Sequence, residues 1–181
     1  MKAVHAANYL VYLMSDVCDD LTNMKINKLL YYAQGHCLKE TGAPLFDEEI
    51  EAWQHGPIIR SVYKKYSDYE DSPIRYWDDD DLQYVTVKEK ALLMDIALNY
   101  GRYTASALRN MTHARKSPWD MVYDPDERGT VIPNTIIKDY FVNNIESIKP
   151  AEINYSEDDF IGYRDENGYI VLPKEWDDET V

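Results

Sequence analysis

Apolar residues recur along most of the chain at helical spacing. Val4, Ala7, Val11 and Met14 mark a first helix over 3–15. After the polar turn CDDLTN, Thr22 or Asn23 is placed to cap a second helix that runs to about Thr41 and stops at Gly42. On this helix Ile26, Leu29, Leu30, Ala33 and Cys37 fall on one side, a normal core stripe. Met24, Lys28, Tyr31, Gly35 and Leu38 line up on the opposite side, where a surface helix is polar. The helix is therefore enclosed on both sides, or covered on its second side by another chain.

The stretch PLFDEEIEAWQHGP carries Gly and two Pro and reads as a loop, with a short extended piece over 49–53. Pro57 sits where a helix can begin, because its missing N–H is no loss in a first turn. Ile59, Val62, Tyr63 and Tyr66 follow along one side. Residues 67–85 are irregular and acidic. Thr86 and Glu89 then form the pattern of a capping box, opening a helix with Leu93, Ile96, Ala97 and Tyr100 on one face and an end at Gly101. A shorter helix is predicted over 104–112, one helical turn within SPWDMVYDPDERG, and a last helix over 134–148 stopped by Pro150. Its apolar positions are Ile137, Tyr140, Phe141, Ile145 and Ile148. Beyond Pro150, FIGYRDENGYIVLP alternates around Asn167-Gly168, a hairpin turn signal. The expected architecture is mainly α. A compact multi-helix domain over 1–150 is built around the helix at 22–41 with a short extended motif loop. Residues 151–181 form an acidic appendage, either a small β-hairpin or a flexible tail.

Charge narrows the function. The net charge is -14, which argues against direct nucleic-acid binding, where clustered Lys and Arg neutralise phosphates. It favours basic partners. The acid is uneven: residues 151–181 hold ten Asp or Glu against Arg164 and Lys174, a net of -8. Sixteen Tyr stand against 3 Phe, so the aromatic surface carries hydroxyls, as half-buried positions and interfaces require. Cys18 and Cys37 lie in apolar helical contexts and do not make a disulfide framework. The N-terminus lacks the pattern of a signal peptide and no apolar run is long enough to span a bilayer. The expectation is a cytoplasmic protein with no membrane contact.

Catalytic chemistry is hard to find. His5, His36, His55 and His113 are scattered, with neither an HExxH pattern nor a Cys pair at zinc spacing. There is no glycine-rich phosphate loop and no GxSxG elbow. No cofactor is expected. An enzyme would need Lys28, Glu51, His55 and His113 to converge around an open cavity. Lys28, on the second apolar face, must snorkel to water or pair with a carboxylate. Glu51 is the candidate, with Asp16, Glu48 and Glu49 as alternatives. Trp53 is either a loop anchor in the core or part of a recognition surface with Tyr31 and Tyr63, because Trp and Tyr dominate binding hot spots.

The segments MKINKLLYYAQGHCLKETGAPLF, IEAWQHGPIIRSVYKKY and LRNMTHARKSPW, taken in order, resemble the Panacea domain, also known as the SocA-like antitoxins or phage-associated GepA-like proteins. The matching residues are Lys28-Leu29-Leu30-Tyr31-Tyr32, Gly42 to Phe46, Glu51-Ala52-Trp53-Gln54-His55-Gly56-Pro57-Ile58, and Thr112-His113 followed by Pro118-Trp119. Ile58 stands where the family pattern has Val. The resemblance covers about 1–145 and leaves the acidic segment outside. There is no helix-turn-helix extension. It implies a mainly helical, non-enzymatic domain that neutralises a toxin by direct contact, the toxin being basic on charge grounds. Other branches imply an adaptor that delivers a toxin to a cytosolic protease, or a solitary prophage-encoded inhibitor of a host or defence protein. On this reading Lys28, Tyr31, Glu51, Gly56, Pro57, His113 and Trp119 are structural motif residues. Tyr32, Trp53, His55 and Tyr63 are the expected partner contacts.

Overall fold

The structure is a computed structural model that describes residues 1–148 and the backbone of two short strands, Tyr163–Arg164 and Ile170–Val171. The chain divides into the units Met1–Pro150 and Ala151–Val181, which are described separately.

In the first unit, α1 (Ala3–Met14) and α2 (Asn23–Thr41) are followed by a hairpin of β1 (Ile50–Trp53) and β2 (Gly56–Ile59). Next come α3 (Arg60–Lys65), α4 (Val87–Tyr100), α5 (Ala105–Thr112), α6 (Pro118–Val122), β3 (Thr130–Val131) and α7 (Asn134–Asn144). Short 3₁₀ turns at Ser67–Tyr69 and Asp79–Tyr84 occupy the acidic stretch expected to be irregular. The helix boundaries follow local chemistry. The Thr22 hydroxyl accepts from the Lys25 amide at the start of α2, and Gly42 closes it in the left-handed region at φ 75°. Thr86 and Glu89 form both halves of the capping box that opens α4. Thr104 and Ser117 cap α5 and α6 with the hydroxyl alone, accepting from the Ala107 and Asp120 amides.

Helix α2 is the axis of the unit. It packs against α1, α3, α4, α5, α7 and β2, and its residues are buried almost continuously from Lys25 to His36. Both faces are thus covered by the chain itself. Ile26, Leu29, Leu30 and Ala33 join the core on one side, and Tyr31 and Leu38 on the other. Cys37 is only partly covered. At Gly35 helix α7 comes so close that a β-carbon would meet the Phe141 ring at 2.3 Å.

Two expectations are corrected and one strand is added. Pro57 does not open a helix: it lies in β2, opposite Ala52, and α3 starts only at Arg60. The reason is Gly56, whose φ of 97° turns the chain back onto β1. Residues Thr130–Val131, to which no element was assigned from sequence, add a third strand and give the order β2-β1-β3, with Glu51 opposite Val131. Helix α7 ends at Asn144, short of Ile148.

In the second unit Tyr163–Arg164 pairs antiparallel with Ile170–Val171, Tyr163 opposite Val171, the pairing a hairpin requires. The turn expected at 166–168 lies outside the described residues, as does the rest of the acidic segment.

Candidate functional site

The β1–β2 hairpin is held from below by donors on three separate segments. Lys28 Nζ, from α2, donates to the Pro57 carbonyl at 3.0 Å. Trp119 Nε1, from α6, donates to the Trp53 carbonyl at 2.7 Å. His113, which caps the C-terminal end of α5, places Nε2 3.2 Å from the Gln54 carbonyl and Nδ1 2.7 Å from the Arg109 carbonyl. A neutral imidazole can donate to one of these at a time. The His113 and Trp119 rings lie 3.6 Å apart between centroids, so the two donors brace each other. Gly56 leaves no room for a side chain: a β-carbon there would stand 2.8 Å from Lys28 Cε and 2.9 Å from Thr112 Oγ1.

Lys28 does not pair with Glu51, contrary to the sequence expectation. It is fully buried, and its one hydrogen-bond partner among the described residues is the Pro57 carbonyl. Burial, and then the neighbouring Arg109 charge, push its pKa down to about 7. Strand alternation explains the miss. Glu51 and Trp53 share the other face of β1, where Glu51 accepts from Trp53 Nε1 at 2.8 Å and from Arg60 Nε and Nη2 at 2.9 and 2.7 Å. These bonds hold the Glu51 carboxyl below the usual carboxylate range against the opposing effect of burial.

Two polar side chains of α2 that carry no charge complete the scaffold. Asn27 Oδ1 accepts from the Ile59 amide at 2.9 Å. Gln34 Oε1 accepts from the Leu45 and Phe46 amides, while its Nε2 donates to the Phe46 carbonyl. Gln34 therefore reads the Gly42-to-Phe46 turn as Lys28 reads the hairpin. Asn27 and Arg60 were not singled out from sequence. The one signal for Asn27 is a polar residue at a helix position too central to face water; Arg60 is exposed at the start of α3 and carries no such signal.

The upper face of the hairpin is open. Trp53 is half-buried, with its indole N–H fixed on Glu51, its ring 5.0 Å from the Tyr63 ring, and the Arg60 guanidinium 5.7 Å above it. His55 and Tyr63 are exposed, and with Trp53 and Arg60 they line a groove of about 720 Å³. Asp124 and Glu127 also line it. Tyr32 does not belong to this surface. It is 4% exposed and stacked on Tyr100 at 4.2 Å in the core between α2 and α4. Tyr31, also buried, packs edge-on against Phe141.

The quartet that catalysis would need is not gathered around this groove. His55 lines it, whereas Lys28, Glu51 and His113 do not. Among the described residues no three His, Cys, Asp or Glu side chains are grouped to hold a metal ion. Among them, too, no helix is long and apolar enough to cross a membrane.

The chain is a mainly helical domain in which Lys28, His113 and Trp119 grip one short hairpin. The family model described as antitoxin SocA-like, Panacea domain, matches residues 26–120, the span that contains every one of these contacts. Antitoxin SocA of Caulobacter vibrioides (strain NA1000 / CB15N) is 30% identical over 135 residues, covering 67% of this chain and 72% of that protein. The chain belongs to the SocA-like Panacea family. No solved structure matches it.

Proposed function

We propose that this protein is the antitoxin of a toxin–antitoxin pair, acting in the cytoplasm as a stoichiometric binder that neutralises its toxin by direct contact. The observation that carries the reading beyond family membership is the contrast across the hairpin. Lys28, His113 and Trp119 are spent beneath it on three backbone carbonyls, while Trp53, His55 and Tyr63 face an open groove above it. Trp53 is held by Glu51 and Arg60 before any partner arrives, so little side-chain freedom is lost on binding. Rigid aromatic anchors in a groove are what interface hot spots are made of. The groove carries Glu70, Asp71, Asp124 and Glu127 against Arg60 and Arg128, and the whole chain carries -14. Both favour a basic toxin, whose approach such a field accelerates.

The test is growth rescue. The neighbouring reading frame is expressed alone, then with this protein, then with its Tyr63→Ala, His55→Ala double variant. Both residues are exposed, so the variant keeps its melting temperature. The expected result is toxicity abolished by the native chain, loss of rescue by the variant, and a complex that co-purifies only with the native chain. Rescue without a complex rules out direct contact. Rescue and a complex unchanged by the variant remove this groove as the docking site.

A further inference from the structure

The turn between α1 and α2, with the first turn of α2, holds a compact trio of reactive side chains that the grip on the hairpin does not use. Lys25 Nζ lies 3.2 Å from the Cys18 sulfur and 2.5 Å from Asp20 Oδ1, and Cys18 Sγ donates to the same Asp20 oxygen at 3.1 Å. Lys25 is 1% exposed and Cys18 9%, a depth at which an ordinary surface ion pair is not found. The sulfur nevertheless lies just under solvent, because the adjoining Val17 is 82% exposed and the Asp19 side chain is fully exposed.

We infer that Cys18 and Lys25 form a peroxide-responsive pair that closes a covalent sulfur–nitrogen bridge across this turn. In the first step the Cys18 sulfur attacks one oxygen of hydrogen peroxide. The O–O bond breaks, the thiol proton passes through Asp20 to the departing hydroxide, and Cys18 sulfenic acid and one water result. The sulfur loses two electrons and the peroxide gains them. In the second step Lys25 gives one proton to Asp20, and its free amine attacks the sulfenic sulfur. The S–O bond breaks, the hydroxyl leaves as a second water with a proton from the nitrogen, and an S–N bond remains. Asp20 passes the proton it received to solvent, and the third ammonium proton stays on the bridging nitrogen. The separation of 3.2 Å is that of a near-attack arrangement, reached here without any rearrangement of the fold. Asp20 touches both partners and is the group that moves protons between them.

Burial and the Asp20 hydrogen bond push the Cys18 thiol up. The first step therefore answers sustained rather than trace oxidant. The bridge pins the first turn of α2, whose Asn23 and Met24 line the groove beside Trp53. Cys37 is a second free thiol and serves as an internal comparison.

The full chain is treated with hydrogen peroxide, digested with trypsin without reductant and weighed. Bridging blocks cleavage after Lys25. The expected product is therefore the peptide 3–28, about 2 Da lighter than its unmodified mass, split after Lys25 again once dithiothreitol is added. Oxidation of Met14 or Met24 adds mass and does not respond to dithiothreitol, so it is separable. Cys18→Ser and Lys25→Met must each abolish the lighter peptide, and melting curves show that both variants are folded. Sulfenic or sulfinic acid at Cys18 with normal cleavage after Lys25 overturns the inference. So does an unmodified Cys18 under conditions that oxidise Cys37.

Discussion

Lys28 shows how far a residue type can be pushed by its surroundings. An amine with one carbonyl partner, no carboxylate and no exposure keeps its proton poorly, and its pKa drops from 10.5 to about 7. The folded chain therefore releases this proton near pH 7, while the unfolded chain keeps it up to about 10.5. Between those values the unfolded state binds more protons, so this site makes stability rise with pH; below about 7 its effect is constant. Urea unfolding at pH 7.5 and 9.5 should show the native chain gaining on the order of 2 kcal/mol relative to Lys28→Met. Parallel behaviour of the two would mean that Lys28 is charged in the folded state. The Pro57 carbonyl left unpaired in the variant adds a pH-independent offset and does not disturb the comparison. The window stops short of the tyrosines, since burial pushes Tyr31, Tyr32 and Tyr66 above their ordinary value of 10.

Local signals carry the helices further than they carry the strands. The cap at Thr22, the stop at Gly42 and the box at Thr86 and Glu89 act within one turn of the residues they name, so they are visible before anything is folded. The hairpin is different, because Pro57 fits a helix start and a strand edge equally well. What decides is the pairing of β2 with β1 and the grip of α2 on its carbonyl. The contact of α2 with α7 is similarly invisible, since Gly35 reads as a weakness in a helix until Phe141 is seen on top of it. Gly35→Ala should lower stability by about 1–3 kcal/mol through overpacking. The same change should cost less in a Phe141→Ala background, where the ring is gone. A double-mutant cycle by thermal or urea unfolding measures the difference, and additive effects would show that the two helices are not in close contact at this point.

At the scale of the molecule, an open aromatic groove on the first unit is carried by a chain with excess acid. Under the proposed function the association rate with a basic toxin should fall about tenfold between low and high salt, with the dissociation rate nearly unchanged, as stopped-flow mixing of the purified pair would show. Asp124→Lys with Glu127→Lys on the groove wall should weaken that dependence without altering the melt. Equal salt dependence in the variant would place the steering charge elsewhere on the surface. The family motifs mark both what holds the hairpin and, through Trp53 and His55, part of this groove, whereas Tyr63, Asp124 and Glu127 on the same groove lie outside the matching residues.

The sequence alone determined the helices α2 and α4 with their caps, the burial of both faces of the helix at 22–41, and membership of the SocA-like Panacea family, because each rests on neighbours within a few turns or on an ordered set of short motifs. The tertiary structure decided the partners. Lys28 meets Pro57 across 29 positions and Trp119 meets Trp53 across 66, while Glu51 turns away to Arg60 and Tyr32 enters the core. Which carbonyl a buried donor reaches, and which aromatic ring is left facing water, depend on the relative placement of elements distant in sequence, and composition and periodicity do not encode that placement.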